Sequence, residues 1–233
     1  MNAIGRPTIE YFDELDSTNE YVKLKRGEKR ELIAVAKRQT GGRGTKGRSF
    51  VSEEGGLYLS KLCFPQGLLA KDAFSIMAGA AVAVCKTLCR FGLKPVIKWA
   101  NDVYVNDRKI CGILIENVFS GNFVRSSVVG IGLNVCNTLP KELLPIATTM
   151  RLETGEIFSV EEVCAVLIEE LSKEFSMEDY LGYLGYMGRE AQVIIGSESI
   201  PATLVCVDNA GGLVVEIDGK RRRLTAAEVS LRL

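Results

Sequence analysis

The spacing of apolar side chains changes several times along the chain, and each change predicts a new element of secondary structure. Residues 71–91 place apolar side chains three or four positions apart, which predicts an amphipathic helix. Residues 31–38 contain the apolar run LIAVA, typical of a buried strand, and residues 56–64 alternate as a half-buried strand does. Together these spacings predict helices over residues 17–26, 71–91 and 159–175, and strands over residues 8–12, 31–38, 56–64, 95–99, 103–105, 109–118 and 124–133.

A different pattern begins after residue 188. Short apolar runs (QVII, ATLVCV, GLVVEI and RRLTAAEV) alternate with the turn sequences GSES, DNAGG and DGK. Such closely spaced short strands are typical of a small β-barrel. The sequence therefore predicts an α+β fold, in which a mixed sheet with flanking helices fills residues 1–187 and a small β-barrel forms a second domain over residues 188–233.

Charge and composition exclude several classes of function. The 233 residues contain 29 Lys and Arg, 29 Asp and Glu, and no histidine. A chain with balanced charge is not expected to bind nucleic acid over a broad basic face. Without histidine there is no Ser-His-Asp or Cys-His catalytic group and no histidine-ligated metal. Catalysis must therefore depend on Lys, Arg, Asp, Glu, backbone amides or a metal ion that a substrate brings.

Cysteine content and the N-terminal sequence bear on the cellular compartment. The seven cysteines are odd in number and include no C-x-x-C pair, which predicts free, mostly buried thiols in a reducing cytosol. The N-terminal residues lack the apolar segment of a secretion signal. The apolar run over residues 74–85 is interrupted by Lys86 and is too short to span a bilayer. We therefore expect a cytoplasmic protein that does not act at a membrane.

A glycine-rich basic loop, QTGGRGTKGR over residues 39–48, is the first candidate for chemistry. Its glycines satisfy G-x-G-x-x-G by count, but a strand rather than a helix follows, which excludes a dinucleotide-binding turn. There is no G-K-[ST] of a P-loop either. Two interpretations remain open: a solvated hairpin loop, or a loop whose backbone amides approach an anion that Arg43, Lys46 and Arg48 help to bind.

Two further segments place unusual residues in or beside predicted strands. Lys98 ends an apolar strand and is followed by Asn101 and Asp102. A strand lysine in this setting either extends its head to solvent or lies in a site with a partner. Gly112 and two glycines of the strand over residues 124–133 interrupt neighbouring strands, which indicates either structural bulges or the floor of a pocket.

Taken in their order along the chain, these segments resemble the catalytic module of the biotin protein ligases. The motifs that carry the resemblance are DSTN at 16–19, QTGGRG at 39–44, KWAND at 98–102, K-x-x-GIL at 109–114 and GIGLN at 130–134. The resemblance covers roughly residues 8–185, and the C-terminal strands are similar to the SH3-like barrel of this family. It implies a sheet of the kind found in biotin ligases and class II aminoacyl-tRNA synthetases.

The resemblance implies an activity and a set of partners. Family members make biotinyl-5′-AMP from biotin and Mg-ATP, and then transfer biotin to one lysine of a biotin carboxyl carrier domain. The catalytic module begins by about residue 8, so we expect a monofunctional ligase without a DNA-binding domain, and a possible homodimer. Two alternatives stay open: a lipoate-protein ligase or other acyl-adenylate-forming ligase of the same fold, and a non-catalytic biotin-sensing protein.

The resemblance also implies roles for individual residues. Lys98 and Arg43 are the expected catalytic residues, and Asp102 is a candidate proton acceptor in the transfer step. Thr45 stands where many family members have an arginine that holds the adenylate phosphate, and Lys46 and Arg48 are the candidates to compensate. No protein ligand is assigned to the magnesium ion, which is expected with ATP. The expected biotin-binding residues are Ser17, Thr18, Asn19, Gln39, Gly42, Arg43, Gly44, Thr45, Lys98 and Gly112, and the expected adenylate-binding residues are Arg43, Lys46, Arg48, Asn101 and Asn134.

Overall fold

A seven-stranded mixed sheet forms the centre of the larger part of the molecule. The computed structural model describes residues 7–225 and 229–232. The sheet has the order β1-β2-β3-β7-β6-β5-β4, and all neighbours are antiparallel except β1 and β2. Its strands are β1 (Thr8–Leu15), β2 (Leu32–Gln39), β3 (Leu57–Cys63), β4 (Val96–Lys98), β5 (Asp102–Val105), β6 (Arg108–Ser120) and β7 (Phe123–Leu133).

Helices flank this sheet. The longest, α2, is rich in alanine and packs its apolar face against β6, β7 and helices α4 and α5. With the short turn before it, the segment Ala70–Arg90 has the length and apolar composition of a membrane span, but half of it is buried inside the protein. Its apolar composition is therefore explained by its place in the core. The helices are α1 (Thr18–Leu24), α2 (Phe74–Arg90), α3 (Met150–Thr154), α4 (Val160–Glu170) and α5 (Met177–Tyr183).

The C-terminal residues form a second, antiparallel sheet of five strands, in the order β11-β10-β9-β8-β12. This sheet is where the sequence predicts a small β-barrel. Its apolar residues belong to the same core cluster as those around β4 to β7. The predicted division at residues 187 and 188 stays a prediction, because one apolar core extends through both parts. The strands are β8 (Glu190–Ile195), β9 (Glu198–Val207), β10 (Leu213–Ile217), β11 (Lys220–Leu224) and β12 (Val229–Arg232).

The α+β fold and its mixed sheet are confirmed, but two local predictions are wrong and two short helices were missed. The helix predicted to reach residue 175 ends at Glu170, and a new helix, α5, starts after Ser176. Ser176 and Asp179 form a reciprocal capping box, which fixes the N-terminus of α5. Helix α3 was not predicted. The run RRLTAAEV was predicted as one strand, but β11 ends at Leu224 and β12 begins at Val229; residues 226–228 lie outside the described residues.

Candidate active site

One cavity of about 620 Å³ brings together nearly all of the predicted site residues. Its wall includes the start of α1, the glycine-rich loop, the segment after β4, and the middle of β6 and β7. Gly112 and Gly132 are direct cross-strand neighbours, and Gly130 lies next along the same face. These glycines form a floor to which they contribute no side chains of their own, and the side chains of Phe50 and Asn19 lie against it. The predicted residues in the cavity wall are Ser17, Thr18, Asn19, Gln39, Arg43, Gly44, Thr45, Lys46, Arg48, Lys98, Asn101, Gly112 and Asn134.

Gly42 is the exception, because it is not among the described residues that line the cavity. A Cβ atom at Gly42 would overlap the carbonyl oxygen of Phe50 and the hydroxyl of Ser52. The backbone of Gly42 also accepts a hydrogen bond from the Phe50 amide at 2.9 Å. This glycine therefore allows the two ends of the loop to pack together, and the prediction that it contacts biotin gains no support from its position.

Neutral polar groups occupy one end of the cavity, where α1 begins. The Thr18 amide and hydroxyl both donate to Gln39 Oε1, at 2.8 and 3.0 Å. The Ser60 hydroxyl lies 2.7 Å from the Thr18 hydroxyl and 2.5 Å from Asn19 Oδ1. Ser17 caps the helix by accepting from the Glu20 amide. Ser17, Thr18, Asn19 and Ser60 are buried and Gln39 is half-buried, and their hydrogen bonds fix the polar groups at this end of the cavity.

The rest of the cavity is strongly cationic. Among the residues that the structure describes, Asp102 is the single acidic residue in its wall. The net charge of the chain is zero, but five of its positive side chains lie around this cavity. This distribution favours a ligand with several negative charges. The five cationic residues of the wall are Arg43, Lys46, Arg48, Lys98 and Lys109.

Lys98 lies at the end of β4, opposite Asp102 in the register with β5. Its Nζ donates to the Tyr104 hydroxyl at 3.3 Å and lies 5.1 Å from the centre of the Tyr104 ring. Burial lowers the pKa of Lys98. A tyrosine hydroxyl is already protonated at neutral pH, and burial raises the pKa of Tyr104 further, to about 12. The lysine head is thus held inside the cavity rather than extended to solvent.

Asp102 and Lys109 form an ion pair within the cavity, with 2.7 Å between Oδ1 and Nζ. Lys109 Nζ also lies 6.0 Å from the centre of the Phe50 ring. The ring itself covers the glycine floor, because a Cβ atom at Gly112 or Gly132 would meet its carbon atoms. Asp102 would have to leave Lys109 before it could accept a proton, so its role as a proton acceptor stays a prediction.

Asn101 and Asn134 use their side-chain amides to hold the wall of the cavity. Asn101 Nδ2 donates to the Ile113 carbonyl at 2.9 Å, and the Ile113 amide donates back to the Asn101 carbonyl. Asn134 Nδ2 donates to the Thr148 carbonyl at 3.0 Å, and its Oδ1 accepts from Asn137 at 3.2 Å. Both residues therefore have a structural role, and their predicted contacts with the adenylate stay predictions.

The glycine-rich loop is exposed, and two of its arginine side chains form hydrogen bonds or ion pairs with neighbouring residues. Arg43 forms an ion pair with Glu20 of α1 at 2.8 Å. Arg48 is turned back on Thr45: its Nη2 donates to the Thr45 hydroxyl at 3.2 Å and its Nε to the Thr45 carbonyl at 3.3 Å. A guanidinium group therefore lies beside Thr45, the position that the sequence resemblance associates with an arginine.

We expect biotin to slow the amide hydrogen exchange of residues 41–49. This loop is glycine-rich and exposed, so without a ligand its ordering is opposed by backbone entropy. Exchange monitored by mass spectrometry, with and without saturating biotin, measures the effect, and strand β3 serves as an internal reference. Biotin would then bind before ATP. Unchanged exchange in the loop at saturating biotin would contradict this expectation.

Three residues of the site, Ser60, Tyr104 and Lys109, were given no role from the sequence. Ser60 is a small polar residue in the mostly apolar strand β3, and Tyr104 occupies one of the alternating positions of β5. Lys109 was part of a family motif without an assigned function. Each carried a weak local signal. Strand register brings Tyr104 and Lys109 to the cavity wall and places Ser60 against Thr18 and Asn19, which line it.

Comparison with known proteins agrees with this geometry. The model of the biotin/lipoate A/B protein ligase family matches residues 11–134. The Bifunctional ligase/repressor BirA of Escherichia coli is 32% identical, over 94% of this chain and 72% of its own length. The biotin–[acetyl-CoA-carboxylase] ligase of Paracoccus denitrificans is 31% identical, over 92% and 96%. The structure of the Aquifex aeolicus biotin protein ligase in complex with biotin and ATP superimposes with a TM-score of 0.80 at 30% identity, covering 97% of this chain and 98% of that one.

The chain therefore belongs to the biotin/lipoate A/B protein ligase family. It is a ligase of the biotin–protein ligase type, and these relatives do not favour the lipoate-protein ligase alternative.

Proposed function

We propose that the protein joins biotin and ATP to form biotinyl-5′-AMP and pyrophosphate, and then transfers biotin to one lysine of a biotin carboxyl carrier domain. The observation that carries this proposal is a single cavity with a neutral hydrogen-bonding end, a glycine floor and five cationic side chains. The neutral end suits an uncharged ligand head, and the cationic part suits a carboxylate beside a triphosphate.

The neutral end would recognise the ureido ring of biotin. That ring carries two N–H donors and one carbonyl acceptor, and Ser17, Thr18 and Gln39 offer both hydroxyl and amide groups. Asn19 is fixed against the floor, because a Cβ atom at Gly130 would overlap its side-chain amide. The planar ureido ring of biotin would lie on the strand glycines once the Phe50 ring moves away from Gly112 and Gly132.

Adenylation requires positioning and electrostatic stabilisation rather than a general base. The biotin carboxylate is already ionised at neutral pH, and its oxygen forms a bond to the α-phosphorus while the bond to pyrophosphate breaks. Lys98 and Arg43 supply positive charge for the two anions that meet and for the charge that develops on phosphorus. These are the proposed catalytic residues.

Magnesium is proposed to enter as part of Mg-ATP. Among the described residues no group of three or more acidic or cysteine side chains could hold a metal ion. Magnesium at nucleotide sites is commonly bound by phosphate oxygens, water and one or two carboxylates. A cavity with one wall carboxylate, Asp102, is consistent with an ion that the substrate carries.

The transfer step offers a direct test of the proposed function. The enzyme is incubated with Mg-ATP, a biotin carboxyl carrier domain, and either biotin or lipoate, and the carrier is then weighed by mass spectrometry. We expect one biotinyl group on one lysine, and no lipoyl group. A carrier domain whose acceptor lysine is replaced by arginine is the control. Transfer of lipoate, or no transfer of biotin, would contradict the proposal.

We further propose a cytoplasmic enzyme that binds neither nucleic acid nor membranes and that forms a homodimer through an edge of the seven-stranded sheet. The balanced charge of the chain supports the first part. The edges of the sheet are β1 and β4, and an edge strand can pair with a second chain. Light scattering at high protein concentration is expected to give the mass of a dimer. A monomer mass with and without biotin and ATP would exclude the dimer.

A further inference from the structure

Lys98 lies in a weakly supported part of the sheet. Strand β4 has only three residues and stands at the edge of the sheet, where β5 is its one neighbouring strand among the described residues; an isolated parallel bridge also joins Ile97 to Leu184. A short edge strand is held by few ladder hydrogen bonds and does not by itself fix a side chain precisely. Within the sheet, the segment is held by the hydrogen bonds between Asn101 and Ile113 and by Tyr104, and contacts from outside the seven-stranded sheet add to these.

Residues 180–211 provide three such contacts, on both sides of Lys98. The Gly185 amide donates to the Ile97 carbonyl at 3.0 Å. Trp99 Nε1 donates to the Gly211 carbonyl at 3.0 Å in a buried bond. The Tyr180 hydroxyl donates to the carbonyl of Ala100 at 3.3 Å, also buried. None of the three contacts involves the Lys98 side chain, and all three come from beyond the segment that the family model matches.

The acceptor carbonyl of Gly211 is itself held rigidly. It lies in the turn between β9 and β10, where Asp208 Oδ1 accepts from the amides of Ala210 and Gly212 at 2.9 and 2.8 Å. Gly211 has a positive φ of 80°, and a Cβ atom there would overlap the ring of Phe74. The turn is therefore fixed both by its own hydrogen bonds and by the start of α2.

Tyr180 also contacts Phe74, the residue that packs against the Gly211 turn. Its side chain is fully buried, and its ring packs edge-on against Phe74 with 5.4 Å between the ring centres. Phe74 thus contacts the Gly211 turn on one side and Tyr180 on the other. Phe74 therefore contacts both the turn that accepts from the Trp99 side chain and the tyrosine that donates to the Ala100 carbonyl.

We infer that Trp99, Tyr180 and Gly211 are positioning residues for adenylation, through which helix α5 and the C-terminal sheet hold Lys98 at the reacting phosphate. This inference rests on the proposed function. Misplacing a catalytic group by about 1 Å can cost up to a hundredfold in rate. The C-terminal sheet thereby has a role in the first chemical step.

Two conservative variants test this role. Trp99→Phe removes the indole N–H, and Tyr180→Phe removes only the hydroxyl. Tyr180 is not one of the described residues that line the cavity, so its effect must reach the site through Ala100. The rate of biotinyl-5′-AMP formation is measured as a function of biotin and ATP. We expect kcat to fall on the order of tenfold in each variant while both KM values change by less than about twofold.

Thr87→Val is the matched control. Its hydroxyl is fully buried and donates to the Ala83 carbonyl at 2.8 Å within α2, away from the cavity. This variant loses one buried hydrogen bond, as Tyr180→Phe does, and kcat should stay at the wild-type value. Thermal unfolding of all variants separates a loss of stability from a loss of positioning.

A double variant tests whether the effect passes through Lys98. In a Lys98→Ala background, Tyr180→Phe should lower kcat no further, because residues that act as a unit are not additive. Wild-type kcat in folded Trp99→Phe and Tyr180→Phe proteins would overturn the inference while leaving the proposed function intact. If Trp99→Phe fails to fold, Tyr180→Phe decides the question. A wild-type protein that makes no biotinyl-5′-AMP would refute both.

Discussion

Replacing Lys98 by alanine is expected to lower the rate of biotinyl-5′-AMP formation by a factor of about 10² to 10³, the usual effect of removing a group aimed at developing charge. Lys98 is the cation that ends β4, and its Nζ is held inside the cavity by Tyr104. Burial lowers the pKa of Lys98, so folding disfavours its charged form. The Lys98→Ala protein should therefore fold normally, and the loss should appear in the chemical step.

Single-turnover measurement of biotinyl-5′-AMP in quenched reactions checks this expectation. Lys61→Ala is the matched control, because Lys61 is also a partly buried strand lysine but is not among the described residues that line the cavity. It should react at the wild-type rate. A folded Lys98→Ala protein that forms the adenylate as fast as wild type would remove Lys98 from the active site.

Replacing Thr45 by arginine is expected to reduce the labelling of bystander proteins by roughly tenfold to a hundredfold. A threonine hydroxyl cannot make the charge-assisted contact that arginine makes with a phosphate. One such contact contributes about 1.5–3 kcal/mol, which corresponds to this range of retention. Wild-type enzyme should therefore release some biotinyl-5′-AMP, which reacts with exposed lysines.

The experiment incubates wild type and variants with biotin, ATP and an irrelevant lysine-rich protein, followed by a biotin blot. Arg48→Ala and Lys46→Ala accompany Thr45→Arg, because Arg48 contacts Thr45 directly and Lys46 follows it in the chain. If Arg48 compensates for Thr45, the wild-type enzyme already labels the bystander protein weakly, and Arg48→Ala increases that labelling. Lys46→Ala tests Lys46 in the same way. Equal labelling by wild type and Thr45→Arg would show that Thr45 is not the cause of release.

The sequence predicted the long elements of the fold better than the short ones. Strands β6 and β7 are long and apolar, and the prediction that their glycines lie on neighbouring strands is confirmed by the pairing of Gly112 with Gly132. Helix α5 was missed because its seven residues are stabilised by tertiary contacts, such as those of Tyr180 with Phe74 and Ala100. The spacing of apolar residues along the chain gives no information about such tertiary contacts, so it could not predict this helix.

For the candidate site too, residues that are unusual in the local sequence were predicted, and residues that depend on tertiary contacts were missed. The loop cations and Lys98 were predicted because glycine-rich basic loops and strand lysines are locally unusual, and they do line one cavity. Ser60 was missed because its importance arises from register, which places it opposite Gly130 and beside Thr18. Gly42 was assigned to the ligand, but its close contacts are within its own loop.

Formation of biotinyl-5′-AMP is the measurement that tests the account most directly. The purified protein is incubated with biotin and Mg-ATP in the absence of any carrier, and the small molecules are analysed by mass spectrometry, with lipoate in a parallel reaction. The account predicts biotinyl-5′-AMP and pyrophosphate, and no lipoyl-AMP. The absence of biotinyl-5′-AMP from a folded protein that binds both substrates, or the formation of lipoyl-AMP in its place, would contradict it.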